Sequence, residues 1–159
     1  TWEQLEELQR QDDHFFSDFQ QVMQDSKADY TLFFNQLEKL QQDTDIQEHF
    51  KDIFYAPLSE NHLFSFENFI KNYQIRLSKN TISREDSLAI MQSNNPKFIL
   101  RNYLLFECIK EVNEGKKELL NQLISALENP YEERYPEFSK KRPPMYDGQT
   151  GSSTLSCSS

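Results

Sequence analysis

Apolar residues return at three- and four-residue intervals along most of this chain, and that period points to helix over strand. In the opening stretch Trp2, Leu5, Leu8, Phe15, Phe16, Phe19, Val22 and Met23 keep the spacing, while Gln, Glu and Asp fill the other face. Asp29 is placed to cap a second helix bearing Leu32, Phe33, Phe34, Leu37 and Leu40. Thr44 and Gln47 have capping-box spacing ahead of Phe50, Ile53 and Phe54, with Pro57 beyond the stop. The stretch "HLFSFENFIKNYQIRL" predicts a fourth helix with Leu63, Phe66, Phe69, Ile70, Tyr73 and Leu77 inward. Three glycines in 159 residues argue against a turn-rich β fold, and 13 Phe with 7 Tyr supply material for a core.

Further on, Ser83 and Asp86 are spaced to cap a short helix through Met91. In "NNPKFILRNYLLFECIKEV" Asn95 is placed as a cap and Pro96 at the first helical position, where its missing N–H costs nothing. Phe98, Ile99, Leu100, Tyr103, Leu104, Leu105, Phe106, Cys108, Ile109 and Val112 surround nearly the whole cylinder, which predicts a central helix buried among the others. Gly115 breaks it, and "KKELLNQLISALEN" makes a last amphipathic helix ending before Pro130. Beyond Pro130 the chain carries Pro, Gly, Ser and charge with no sustained period, so it is expected to lie extended over a surface or be disordered. No internal repeat recurs at a fixed period. The expected architecture is an all-α bundle of about six helices over residues 1–130, with an irregular tail over residues 131–159.

A formal charge of −9 should repel phosphate backbones, so no nucleic-acid partner is expected. No run of about 18 apolar residues is present, so no membrane span is expected. The chain opens on Thr1 without a methionine and reads as a fragment whose targeting is not legible. Gly115, Gly148 and Gly151 match neither phosphate-binding glycine pattern. His14 and Asp18 stand one helical turn apart, but neither they nor His49 and His62 gain a second histidine at ligand spacing, so no metal site is expected. Glu6-Glu7 and Glu132-Glu133 read as solvated faces rather than an acid–base pair. Arg101 and Asn102 read as a buried polar pair in the central helix, met by an interhelical ion pair or by loop carbonyls. Cys108 reads as an inert core thiol. Cys157, with no neighbouring Lys, Arg or His to lower its pKa, is by its own chemistry more readily an incidental thiol than a functional one.

The segments "ADYTLFF", "NPKFILRNYL", "ALENPY", "RPP" and the closing "SCSS", in that order, resemble the C-terminal part of the selenoprotein O family. These are kinase-like proteins that transfer AMP from ATP to protein hydroxyls. Met145 and Tyr146 stand where the family commonly has aspartate and tryptophan, and Leu105-Phe106 where Ala-Gln is usual; both departures bear on packing more than on chemistry. The resemblance implies that this is the helical C-terminal part of a larger kinase-like protein. The catalytic, nucleotide-binding and metal-binding residues would lie upstream, with none in this chain. ATP and Mg²⁺ or Mn²⁺ are implied for the full-length parent, and the partners would be its upstream kinase-like core and, through it, protein substrates. A cytoplasmic location is implied in a bacterium, with a mitochondrial one open in a eukaryote. The resemblance also implies a redox role for Cys157, as a disulfide to a cysteine in the catalytic region. Two other readings stay open on the residues: a stand-alone acidic helical interaction module, and a thiol protein using Cys108 with Cys157.

Overall fold

The computed structural model describes residues 1–152 and is all-α, with seven α-helices and no strand among the described residues. The chain divides into two compact units, Thr1–Arg84 and Glu85–Ser159. That division departs from the compositional break expected at Pro130.

The first unit begins with α1 (Trp2–Ser26), α2 (Tyr30–Lys39), α3 (Ile46–Phe50) and α4 (Glu60–Leu77). Lys27 closes α1 in the left-handed conformation at φ 48°. Asp29 then caps α2 as expected, its carboxylate accepting from Leu32 N at 3.1 Å. The same carboxylate accepts from the Tyr55 hydroxyl at 2.7 Å, while Asp29 N donates to Ile53 O at 2.8 Å. One isolated antiparallel bridge, Ala28 with Phe54, completes that crossing. The cap of α3 is Asp45, which accepts from Glu48 N at 3.2 Å, and not Thr44 as the capping-box spacing predicts. Thr44 instead turns back to accept from Gln41 N, and Gln47 reaches across to Glu67.

The core of this unit is a stack of rings. Phe33, Phe50 and Phe66 are fully buried, with centroids 5.3–6.1 Å apart, and Phe69 joins them from α4. Phe15 and Phe19 of α1 reach Phe69 at 5.0 and 5.8 Å. Such offset and edge-on pairs add to simple area burial, which explains why a helical unit of this size invests so heavily in Phe. Arg76, near the end of α4, lies 4.7 Å over the Phe15 ring and pairs with Asp12.

The second unit holds nearly all of α5 (Arg84–Asn94), then α6 (Asn102–Asn113) and α7 (Glu118–Glu128). Its core gathers Phe98, Tyr103, Leu104, Cys108, Leu123, Ala126, Phe138 and Tyr146. Gly115, at φ 82°, provides the left-handed turn that separates α6 from α7.

Candidate functional site

The segments carrying the family resemblance are scattered along the sequence, and in the second unit several of them meet. Lys97 N and Phe98 N both donate to Pro130 O, at 2.7 and 3.1 Å, joining "NPKF" to "ENPY". The Ser139 hydroxyl donates to Lys97 O at 2.8 Å from the other side. With its amides satisfied this way, the stretch after Pro96 has no need of helical hydrogen bonds. Pro96 in turn disfavours helix at Asn95, so α5 stops at Asn94.

This geometry corrects the expected central helix. α6 starts at Asn102, with Arg101 as its extended N-cap residue; the Arg101 carbonyl accepts from Leu104 N and Leu105 N at 3.0 and 3.1 Å. Arg101 is only partly buried and Asn102 is exposed, so the two are not a buried polar pair. The Arg101 Nε is itself covered, so it is Asn102, exposed at the first position of α6, that breaks the expected pair. Nor is α6 buried on all sides: Leu105, Ile109 and Val112 form an exposed stripe, while Tyr103, Leu104 and Cys108 face the core. Within the described unit only one side of α6 has neighbours.

The segment after Pro130 is not merely draped. Phe138 packs against Phe98 and Tyr135, with centroids 6.0 and 5.2 Å away. A short 3₁₀ turn, Pro144–Tyr146, begins at the second proline of the pair and brings the Tyr146 ring to 5.1 Å from Tyr103. The Tyr146 hydroxyl donates to Glu107 Oε1 at 3.0 Å. Burial first, then the Glu107 carboxylate by hydrogen bond and charge, hold the Tyr146 pKa above its ordinary 10.0. Tyr146 therefore fills a core position with an aromatic, while Met145 beside it is exposed, and Phe106 packs on the same core. Of the residues that depart from the family pattern, Tyr146 and Phe106 thus sit at the core, while Met145 and Leu105 are exposed.

At the end of this segment Ser152 is 1% exposed, its hydroxyl donating to Gln149 O at 3.0 Å and Tyr146 O at 3.3 Å. A Cβ added at Gly151, itself at φ 84°, would stand 3.6 Å from the Phe106 ring. The Cys157 expectation lies outside the described residues. Cys108 is a buried, reduced thiol in the core, which disfavours a protein working through Cys108 and Cys157 together.

Among the described residues no three His, Cys, Asp or Glu side chains are grouped to hold a metal ion. His14 and Asp18 stand 3.6 Å apart on an open helix face, and His49 is engaged with Gln36 O at 2.9 Å. No described helix is long and apolar enough to cross a membrane. What the second unit presents is a junction, a set of distant motifs locked together by backbone hydrogen bonds and rings.

Comparison with known proteins places the chain in a family. The family model for protein adenylyltransferase SelO matches residues 2–128, and the chain belongs to that family. It is 35% identical over 155 residues to the protein nucleotidyltransferase YdiU of Cytophaga hutchinsonii, covering 94% of this chain and 30% of the relative. The YdiU of Flavobacterium johnsoniae is 30% identical over 156 residues, with 93% and 30% covered. That of Photobacterium profundum is 32% identical over 172 residues, with 98% and 31% covered. The chain therefore spans about 30% of the length of these relatives.

Proposed function

We propose that this chain is the helical C-terminal region of a protein adenylyltransferase, a parent enzyme that moves AMP from ATP to Ser, Thr or Tyr hydroxyls. The region itself is non-catalytic: it supports a kinase-like core and carries a redox-responsive cysteine, Cys157. The match to the adenylyltransferase family over residues 2–128 carries this reading. In keeping with this reading, no three His, Cys, Asp or Glu side chains among the described residues are grouped to hold a metal ion, and the glycines match neither phosphate-binding pattern. In this reading nucleotide and metal are held by the remainder of the parent. Apolar stripes left open, such as Leu105, Ile109 and Val112, are what a region designed to pack on further protein would show.

The test uses the whole parent protein with Mg²⁺ or Mn²⁺ and ATP labelled at either the α- or the γ-phosphate. Transfer of AMP retains label on protein only from the α position, because the γ-phosphate leaves with pyrophosphate. Retention only from the γ position would mean phosphoryl transfer instead. No retention from either would leave the acidic interaction module as the better reading. For the cysteine, wild-type parent and Cys157→Ser are compared under oxidising and reducing conditions. Activity that responds to reductant in the wild type and not in the variant supports the redox role; equal response in both removes it.

A further inference from the structure

The first unit contains a helix only half used. α1 runs 25 residues, and from Phe15 onward its apolar face packs on α2 and α4. α4 ends at Leu77, and its last ring and ion contacts with α1, those of Arg76, fall at Phe15 and Asp12. The helix before Asp12 continues for about 15 Å at 1.5 Å per residue. Every residue from Thr1 to His14 is exposed.

That free length is not polar all round. Trp2, Leu5 and Leu8 are 82%, 59% and 57% exposed. At about 100° per residue they share one broad face with Phe15, Phe19 and Val22, so a single apolar stripe is covered along its second half and open along its first. Helices of this length are marginal alone in water, and local pairs such as Arg10 with Glu7 at 3.1 Å add little. An open stripe ending in a tryptophan on such a helix calls for a partner.

Two observations say what the partner is. The chain spans about 30% of its relatives' length, so most of the parent polypeptide lies outside it. The same stretch of α1 also carries five carboxylates, Glu3, Glu6, Glu7, Asp12 and Asp13, against two guanidinium groups, Arg10 on Glu7 and Arg76 on Asp12, so acidic groups remain in excess beside the stripe. We propose that the first half of α1 is a docking helix whose Trp2–Leu5–Leu8 stripe is covered by another section of the parent polypeptide, apolar at its centre and basic at its rim. The proposal rests on the reading that this chain is one region of a longer enzyme. It adds which surface makes the join and the chemistry of what it joins.

The test is hydrogen–deuterium exchange on the intact parent, read on peptides spanning residues 2–13. Covered, these amides exchange on the order of 100-fold more slowly than an uncovered helix end. Leu5→Asp and Leu8→Asp should abolish that protection, while peptides from α2 and α4 stay protected and show that the unit remains folded. Zero-length carbodiimide coupling should join Glu3, Glu6 or Glu7 to a lysine elsewhere in the same polypeptide. Fast exchange of residues 2–13 in the intact parent would overturn the proposal. So would protection that disappears on dilution together with a dimer, which would make the occupant a second copy. The labelled-ATP assay on the same preparation separates the two readings. Transfer of AMP with a freely exchanging α1 end defeats docking alone, and a protected end without transfer defeats the enzymatic reading alone.

Discussion

Removing the Asp29 side chain should cost more than an ordinary helix cap, and the excess should be traceable to one partner. Asp29 is buried, caps α2 through Leu32 N, and receives the Tyr55 hydroxyl at 2.7 Å. Loss of the cap costs about 1 kcal/mol. A hydrogen bond to a charged acceptor contributes about 1.5–3 kcal/mol, and less here because Tyr55 is 40% exposed and its hydroxyl can turn to water. Asp29→Ala is therefore expected to destabilise by about 2–3 kcal/mol, and Tyr55→Phe by about 1–2 kcal/mol. Asp29→Ser keeps an oxygen for the cap and should resemble Tyr55→Phe. Once Asp29 is gone, Tyr55→Phe should cost little more, giving a coupling energy of about 1 kcal/mol in the double-mutant cycle. Urea unfolding followed by far-UV dichroism measures all four states. A coupling within error of zero would refute the reasoning, since the excess would then come from elsewhere in the buried site.

Phe50→Ala should destabilise the first unit by about 3–5 kcal/mol, because a fully buried ring at the centre of the stack leaves a cavity. Phe64→Ala, at a side chain 66% exposed, should shift urea unfolding of this chain by no more than about 0.5 kcal/mol. Lys27→Gly should stabilise by about 0.5–1 kcal/mol in the same measurement, since it relieves a non-glycine residue at φ 48°. Burial raises the Tyr73 pKa, and burial with Glu107 raises that of Tyr146. The folded chain then keeps protons that the unfolded chain releases above pH 10.0, so the stabilisation is complete below that value and declines as pH rises through the folded values. Urea midpoints taken between pH 8 and 11.5, about where tyrosine titrates, should fall less steeply in Tyr146→Phe and in Tyr73→Phe than in wild type.

Where neighbours in sequence decide structure, the residues were readable. The stripe of α1, the Asp29 cap, the inward face of α4 and the break at Gly115 all depend on contacts within a few residues or on a simple period. The misplacements have another cause. Asp43, Thr44 and Asp45 can each cap a helix, and which one does depends on how the chain turns back on Gln41. Pro96 reads as a helix start until the Pro130 carbonyl, distant in sequence, takes the amides of Lys97 and Phe98. That one acceptor moves the start of α6 to Asn102 and turns the supposed buried pair Arg101 and Asn102 into a helix entry. Phe138 and Tyr146 enter the second core without any period to announce them, because a chain held by isolated anchors needs no repeating spacing. The family was legible in short motifs, whereas the docking half of α1 was not. Its apolar residues look the same on paper whether or not anything covers them.

The anchoring of Ser152 sets a leash. Its buried hydroxyl and the close approach of Gly151 to Phe106 fix that point of the chain to the second core. Five residues further on stands Cys157, and a fully extended backbone spans at most about 18 Å over that distance. Any thiol that Cys157 meets within the parent must therefore lie inside a sphere of about that radius, widened only by the two side chains. A leash so short makes the local concentration of the thiol high for partners inside the sphere and zero for those beyond it. On the proposed redox role, lengthening the chain after Ser152 would widen the set of cysteines in reach, and shortening it would narrow that set.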